Sequence, residues 1–412
     1  MYRPILRADI LTSMPAVPAD LAINSRWILP MTSAQEVLEN HALVVRDGRI
    51  LDLLPQHQAA LRYAAAVNLD RPEHLVMPGL VNAHTRMQHG TLASIAEMLK
   101  AGTTCFCGLG YYPEESAAAA AEQGMRALIG IPIAETASRW AKNPGEYLTR
   151  ALNFRDEYRG HPTLATAFAP NSPCTVLDST FRRIATLADE LDAGIVIALH
   201  ESQAQVDDCI ARHGVRPIER LNGLGLLTPA LAAVHMVQVN AADRALAQRG
   251  GIAVTLCPEA SIRCGNGPPP VASWTATELR LGLGTGDAAS LNLWAEIRLF
   301  TLLSSAPEAT NRRFGAWEAL VSATRGGAAA LGLEAEIGTL EAGKWADLCC
   351  LDLRSPAMQW ALPSASGAAA ALVFNGGRDI VSDVWVAGRQ LLNEGAFTRL
   401  DWPDHALRAN RG

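Results

Sequence analysis

The stretch STFRRIATLADELDAGIVIALHE, Ser179 to Glu201, holds one unit of the fold. Its first fifteen residues have helical length and amphipathic spacing. The run GIVIALH that follows is continuously apolar and ends on His200 and Glu201. A strand buried on both faces reads as such an unbroken run, and its coupling to a helix predicts a parallel sheet. The same rhythm recurs along the chain. LVMPGLVNA, LATAFAP, LAAVH, GIAVTLC and LRLGLGTG read as strands, and SAAAAAEQGMRALIG, from Ser116, reads as a helix. Six or more strand–helix units fit a closed (β/α)8 barrel better than an open sheet. In such barrels chemistry sits where the strands end at their carboxyl side. That rule singles out His84, Asn171, His200, Glu201, His235 and Asp287.

The two ends of the chain have a different character. AINSRWIL (Ala22 to Leu29) and HALVVRDGRILDLLP (His41 to Pro55) read as strands, the second a hairpin turning at Asp47-Gly48. ADLCCLDL (Ala346 to Leu353) and DVWVAGRQLL (Asp383 to Leu392) repeat the pattern, with a turn at Ala387-Gly388. The expected organisation is a small composite β-sandwich from residues 1–75 and 340–412 around a barrel spanning 76–339.

Composition narrows the function. Of 412 residues, 49% are hydrophobic and 18% charged, which suits a well-packed globular chain. The net charge of −6 and the lack of any Lys/Arg block speak against nucleic acid and anionic membranes and for a small-molecule ligand. Eight scattered cysteines are too few for a disulfide scaffold. No secretory leader pattern is evident, nor a run of roughly 18 apolar residues that would span a bilayer. A cytoplasmic location is expected.

Six phrases carry a resemblance. LVMPGLVNAHT (Leu75 to Thr85), EMLKAGTT (Glu97 to Thr104), FAPNSPCTV (Phe168 to Val176), LCPEASI (Leu256 to Ile262), LGTGDAAS (Leu283 to Ser290) and IGTLEAGKWADLCCLD (Ile337 to Asp352) stand in that order. Together they resemble the amidohydrolase superfamily, in its branch of methylthioadenosine, S-adenosylhomocysteine and guanine deaminases and triazine hydrolases. The resemblance implies a barrel with a divalent metal whose bound water becomes acidic near neutral pH. It also implies a Glu and a His that move protons as an amino group leaves.

Several implied positions are altered. The first strand's expected His-x-His pair is His84-Thr85-Arg86, and a guanidinium cannot coordinate a cation. The ligand expected three residues before Glu201 is Ala198, with His200 as its neighbour. The Asp expected directly after Gly-Thr is displaced by one, to Asp287. A substrate-facing His is Asn171, and a covering segment expected before the AGTT helix is cut short to RMQHG (Arg86 to Gly90).

On these grounds the expected protein has no metal or other cofactor. It is a metal-independent acid–base enzyme on a small nitrogenous substrate, with Glu201, His235 and Asp287 catalytic and His84, Arg86, Asn171 and His200 binding. A non-catalytic ligand-binding protein and a zinc or iron aminohydrolase with rearranged ligands are the alternatives. Arg86 either anchors an anionic group or pairs with Asp287 or Glu201. Cys105 and Cys107 share a strand face, where a thiolate–imidazole metal site is an alternative to simple packing; His89 is a further substitute ligand. The resemblance also implies a homodimer.

Overall fold

The computed structural model describes residues 16–86, 91–110, 112–287, 289–304, 315–358 and 364–400. Eight parallel strands form the central sheet in sequence order: β1 (Leu80–Thr85), β2 (Thr103–Leu109), β3 (Arg126–Ile133), β4 (Leu164–Pro170), β5 (Gly194–Leu199), β6 (Leu231–His235), β7 (Ala253–Leu256) and β8 (Arg280–Leu283). Helices such as Asp178–Leu191 and Gln203–His213 return the chain between them, as the alternation in the sequence predicts.

Beyond the ends of β1 and β8 the ring is joined. Thr85 and Gly286 form a parallel bridge. The Arg86 N–H donates to the Gly286 carbonyl at 3.0 Å, and the Gly286 N–H donates to the His84 carbonyl at 3.0 Å. A side-chain seam reinforces this. The buried Asn82 amide donates to Thr285 Oγ1 (2.9 Å) and accepts from the Thr285 N–H (3.0 Å). Gly284 packs so close to His84 that a Cβ there would lie 2.6 Å from the His84 carbonyl oxygen, so only glycine fits.

A second, mixed sheet draws strands from both ends of the chain. Its order is Ala396–Phe397, Arg389–Asn393, Val381–Val386, Leu348–Asp352, Tyr63–Pro78, Val17–Ile28, Leu38–Arg46 and Arg49–Pro55. Leu348–Asp352 pairs antiparallel with Tyr63–Pro78 and so ties the late strands to the early ones. The expected hairpins are present: Asp47 and Gly48 both take positive φ (52° and 75°), as do Ala387 and Gly388 (47° and 73°). A buried ion pair, Arg126 to Asp347 at 2.7 Å, fixes the start of β3 to the segment entering the second sheet.

The main core lies in a cluster that includes Phe106, Ile129, Ile131, Ile195, Ile197, Leu256, Trp274 and Phe300. A smaller one includes Val81, Ala83, Cys105, Cys107, Val196, Val234 and Cys257. Cys105 and Cys107 are fully enclosed there, and burial raises both thiols, that of Cys107 to about 12. Neutral thiols at neutral pH make them packing residues, and the thiolate–imidazole reading is set aside. Among the described residues no helix is long and apolar enough to cross a membrane.

Candidate active site

The carboxyl ends of β5 and β6 are stitched together by backbone. The Met236 N–H donates to the Leu199 carbonyl (3.0 Å), and the N–H groups of Val237 and Gln238 both donate to the His200 carbonyl (3.0 and 2.9 Å). To make this join, His200, His235 and Met236 all take positive φ, at 53°, 75° and 46°. Such backbone costs on the order of 1 kcal/mol or more per residue and is concentrated at functional sites. The strain turns Glu201 and His235 towards each other, with Glu201 Oε1 at 3.8 Å from His235 Nε2.

Glu201 is held from behind. Its N–H donates to Gln205 Oε1 (3.2 Å), while Gln205 Nε2 donates to the Ala198 carbonyl (3.3 Å). Gln205 sits in the first turn of the helix Gln203–His213, whose N-cap Ser202 accepts from the Gln205 N–H. The Ser-x-x-Gln spacing of Ser202 and Gln205 was a signal available in the sequence.

His84, at the end of β1, completes the cluster. Its ring meets the His235 ring edge to face, with centroids 5.3 Å apart. Both side chains are buried, and among the described residues none of their four ring nitrogens has a hydrogen-bond partner. Burial holds both rings neutral, His84 well below its ordinary value and His235 down to about 4, and the positive charge of Arg86 adds to the effect on each. The His235–Glu201 contact is therefore not an ion pair of full charges. Burial also raises the Glu201 carboxyl, opposed by Arg86 and helped by Asp287.

At the rim, Arg86 Nη1 contacts Asp287 Oδ2 at 3.3 Å. The internal ion pair is thus the reading of Arg86 that the structure adopts. Arg86, Asp287, Glu201, His84 and His235 form one electrostatically coupled group.

Two expected binding residues stand elsewhere. His200 is fully buried, with Nδ1 facing the Gln238 carbonyl (3.1 Å) and Nε2 accepting from the Ile218 N–H (3.2 Å). Both ring nitrogens are spent on structure, so the expectation that His200 binds substrate gives way to an anchoring role. Arg216 backs the same joint by donating to the Gln238 carbonyl (2.7 Å) while pairing with Asp243. The sequence reading missed this pair. Asn171 follows directly on β4, at the same end of the barrel, and is exposed. His89 lies outside the described residues.

The donor chemistry suits a divalent cation in part. A neutral imidazole with an unshared lone pair is the form that ligates metal, and His84 and His235 offer two. Asp287 is the nearest carboxylate to Arg86 and the natural third donor. Ala198 brings none. Among the described residues, as they stand with Asp287 paired to Arg86, no group of three or more His, Cys, Asp or Glu side chains is placed to hold a metal ion.

The model of the amidohydrolase family matches residues 75–391. The 5-methylthioadenosine/S-adenosylhomocysteine deaminase of Teredinibacter turnerae is 33% identical, the match covering 95% of this chain and 96% of that protein. Its counterpart from Saccharophagus degradans is 34% identical over 94% of each. Among solved structures, an adenosine deaminase from Xanthomonas campestris with bound zinc is 33% identical, with a TM-score of 0.91 over 96% of this chain and 98% of that one. An atrazine chlorohydrolase from Arthrobacter aurescens superposes with a TM-score of 0.86, over 95% of this chain and 99% of that one, at 18% identity, a likeness of fold. These findings overturn the expectation of a metal-independent acid–base enzyme. Relatives a third identical over nearly the whole chain are deaminases, and one of them carries zinc.

Proposed function

The chain belongs to the amidohydrolase family, and from that premise we propose that it is a metal-dependent deaminase of small adenosine-type compounds. The observation that carries this reading is the pair of buried, neutral and unpartnered imidazoles, His84 and His235, with Glu201 beside them. His84 and His235 would hold the ion, with Asp287 as its carboxylate. When bound, it supplies a water acidic enough to lose a proton near neutral pH.

The remaining work falls to the chain's own side chains. Glu201 has the burial and the raised carboxyl of a group that takes a proton and passes it on. Its natural receiver is the ring nitrogen or departing amino group of the substrate. Gln205 keeps the Glu201 backbone in register, so the carboxylate need not be organised anew in each turnover. Asn171 offers an uncharged amide to the polar edge of a purine-like ring, a contact that does not change with pH in the neutral range.

The test is ammonia release from 5′-methylthioadenosine, S-adenosylhomocysteine and adenosine by zinc-loaded protein. Turnover of at least one of them supports the reading. No ammonia from any of the three, at high enzyme concentration with zinc bound, overturns it.

A further inference from the structure

We propose that Arg86 is a built-in competitor of the metal ion, so that the site takes up a divalent cation only by breaking the Arg86–Asp287 pair. The inference rests on the reading above only in taking a divalent cation as the ligand. Three features of the site support it.

The first is placement. Arg86 and Asp287 flank the joint that closes the barrel, where Arg86 N–H meets the Gly286 carbonyl and Gly286 N–H meets the His84 carbonyl. The Arg86 backbone is therefore fixed one residue beyond Thr85, next to His84 in the joint. Its Nη1 lies 3.3 Å from the carboxylate of Asp287, which is only 18% exposed.

The second is the state of the donors. The imidazoles are buried and, among the described residues, without hydrogen-bond partners, whereas the Asp287 carboxylate is already engaged by a cation. A divalent ion that recruits Asp287 must take it from Arg86.

The third is charge. Guanidinium does not lose its proton at any pH the protein survives, so its repulsion of an incoming dication is permanent unless the side chain swings away. Arg86 stands two residues along the chain from His84, whose ring packs against that of His235. A divalent ion bound to the same rings would meet the same repulsion. Arg86 is 42% exposed, which gives it solvent to swing into. Metal occupancy and the position of Arg86 thus become alternatives, and the site is built for weak, exchangeable binding.

The experiment measures Zn²⁺ affinity by competition with a chromophoric chelator, and Co²⁺ by its visible absorption, on full-length protein. The variants are Arg86→Gln, Arg86→Lys, Arg86→Gln/His235→Asn and Arg86→Gln/Asp287→Asn. Arg86→Gln is expected to bind Zn²⁺ at least about tenfold more tightly than the parent, since one unit charge is removed within a few ångströms of the ion. Arg86→Lys, which keeps the charge, is expected to stay near the parent. Both double variants are expected to lose the gain, and circular dichroism checks that each is folded. Affinity in Arg86→Gln equal to or below the parent's overturns the proposal, as does a gain that survives in the folded double variants. If Arg86→Gln gains affinity and no substrate releases ammonia, the deaminase reading falls and this inference stands. Ammonia release without any gain in affinity means the reverse.

Discussion

The rings of His84 and His235 stand edge to face at 5.3 Å, and each buries two nitrogens that hydrogen-bond to none of the described residues. A buried polar group left without a partner costs about 1–3 kcal/mol. Two such groups in contact are hard to justify as packing, because an aliphatic pair would fill the space at no such cost. The arrangement makes sense as a receptor whose deficit is relieved by what binds there.

It follows that His235→Leu should stabilise the metal-free protein, by about 1–2 kcal/mol. Urea denaturation in the presence of chelator measures this. Destabilisation of that size would mean that the imidazole has a structural partner after all.

Glu201→Gln preserves shape and the backbone bond to Gln205 but removes the titrating group. Ammonia release should fall by at least about 100-fold. Substrate affinity, read by isothermal calorimetry, should change by less than about threefold. A comparable loss in affinity would make Glu201 a binding residue and not a proton carrier.

Asn82→Ala removes both seam hydrogen bonds and leaves the Thr285 N–H buried without a partner. The expected cost is about 2–4 kcal/mol in chemical denaturation. Zn²⁺ affinity should fall as well, because the seam aligns His84 with Asp287. Loss of stability with unchanged Zn²⁺ affinity would separate the seam from the site.

Arg126→Leu leaves the Asp347 carboxylate in the interior, where, among the described residues, the Ala387 N–H alone still serves it. A loss of about 3–5 kcal/mol is expected, the usual result of breaking a buried pair from one side. A cost below about 1 kcal/mol would show that water reaches Asp347.

Glu296 supplies the pH-dependent case. It is buried, its Oε2 accepts from the Glu259 N–H (2.7 Å), and burial pushes its carboxyl up to about 8 against that hydrogen bond. With the folded-state pKa above the ordinary carboxyl value of 4.5, the folded protein holds this proton more tightly than the unfolded chain does. The stability it contributes is whole below about pH 4.5 and is lost as pH rises through about 8. Glu296→Gln keeps the acceptor and cannot ionise. Its stability relative to the parent should therefore improve between pH 5 and pH 8.5, by about 2 kcal/mol or more. A difference that does not vary with pH would show Glu296 to be ionised throughout.

Much of the architecture was legible in the sequence because it rests on local signals. The apolar run before His200 and the Asp47-Gly48 turn are decided within a few residues. The Arg86–Asp287 pair was also foreseeable, since a guanidinium at a barrel rim must find a carboxylate. The parallel pairing of Val17–Ile28 with Tyr63–Pro78 was not, because it joins segments separated by a hairpin and a helix. The role of His200 was hidden for a related reason. Its partners, Ile218 and Gln238, come from segments 18 and 38 residues further on, and its left-handed backbone leaves no mark on its own identity. The error over function had another source. Arg86 and Ala198 at two expected ligand positions are plain in the sequence, whereas the burial that leaves the lone pairs of His84 and His235 without partners among the described residues shows only in the fold.

The seam between Asn82 and Thr285 spans 203 residues of chain. The groups at the mouth are divided between the first strand, the middle ones and the segment after the last. The set is therefore complete only once β8 and the segment after it have joined the ring, because Thr285 and Asp287 lie beyond β8. Before then His84 of β1 and His235 of β6 are both made, but Arg86 lacks its carboxylate partner. The Arg86–Asp287 contact is thus a mark of ring closure as well as a part of the site.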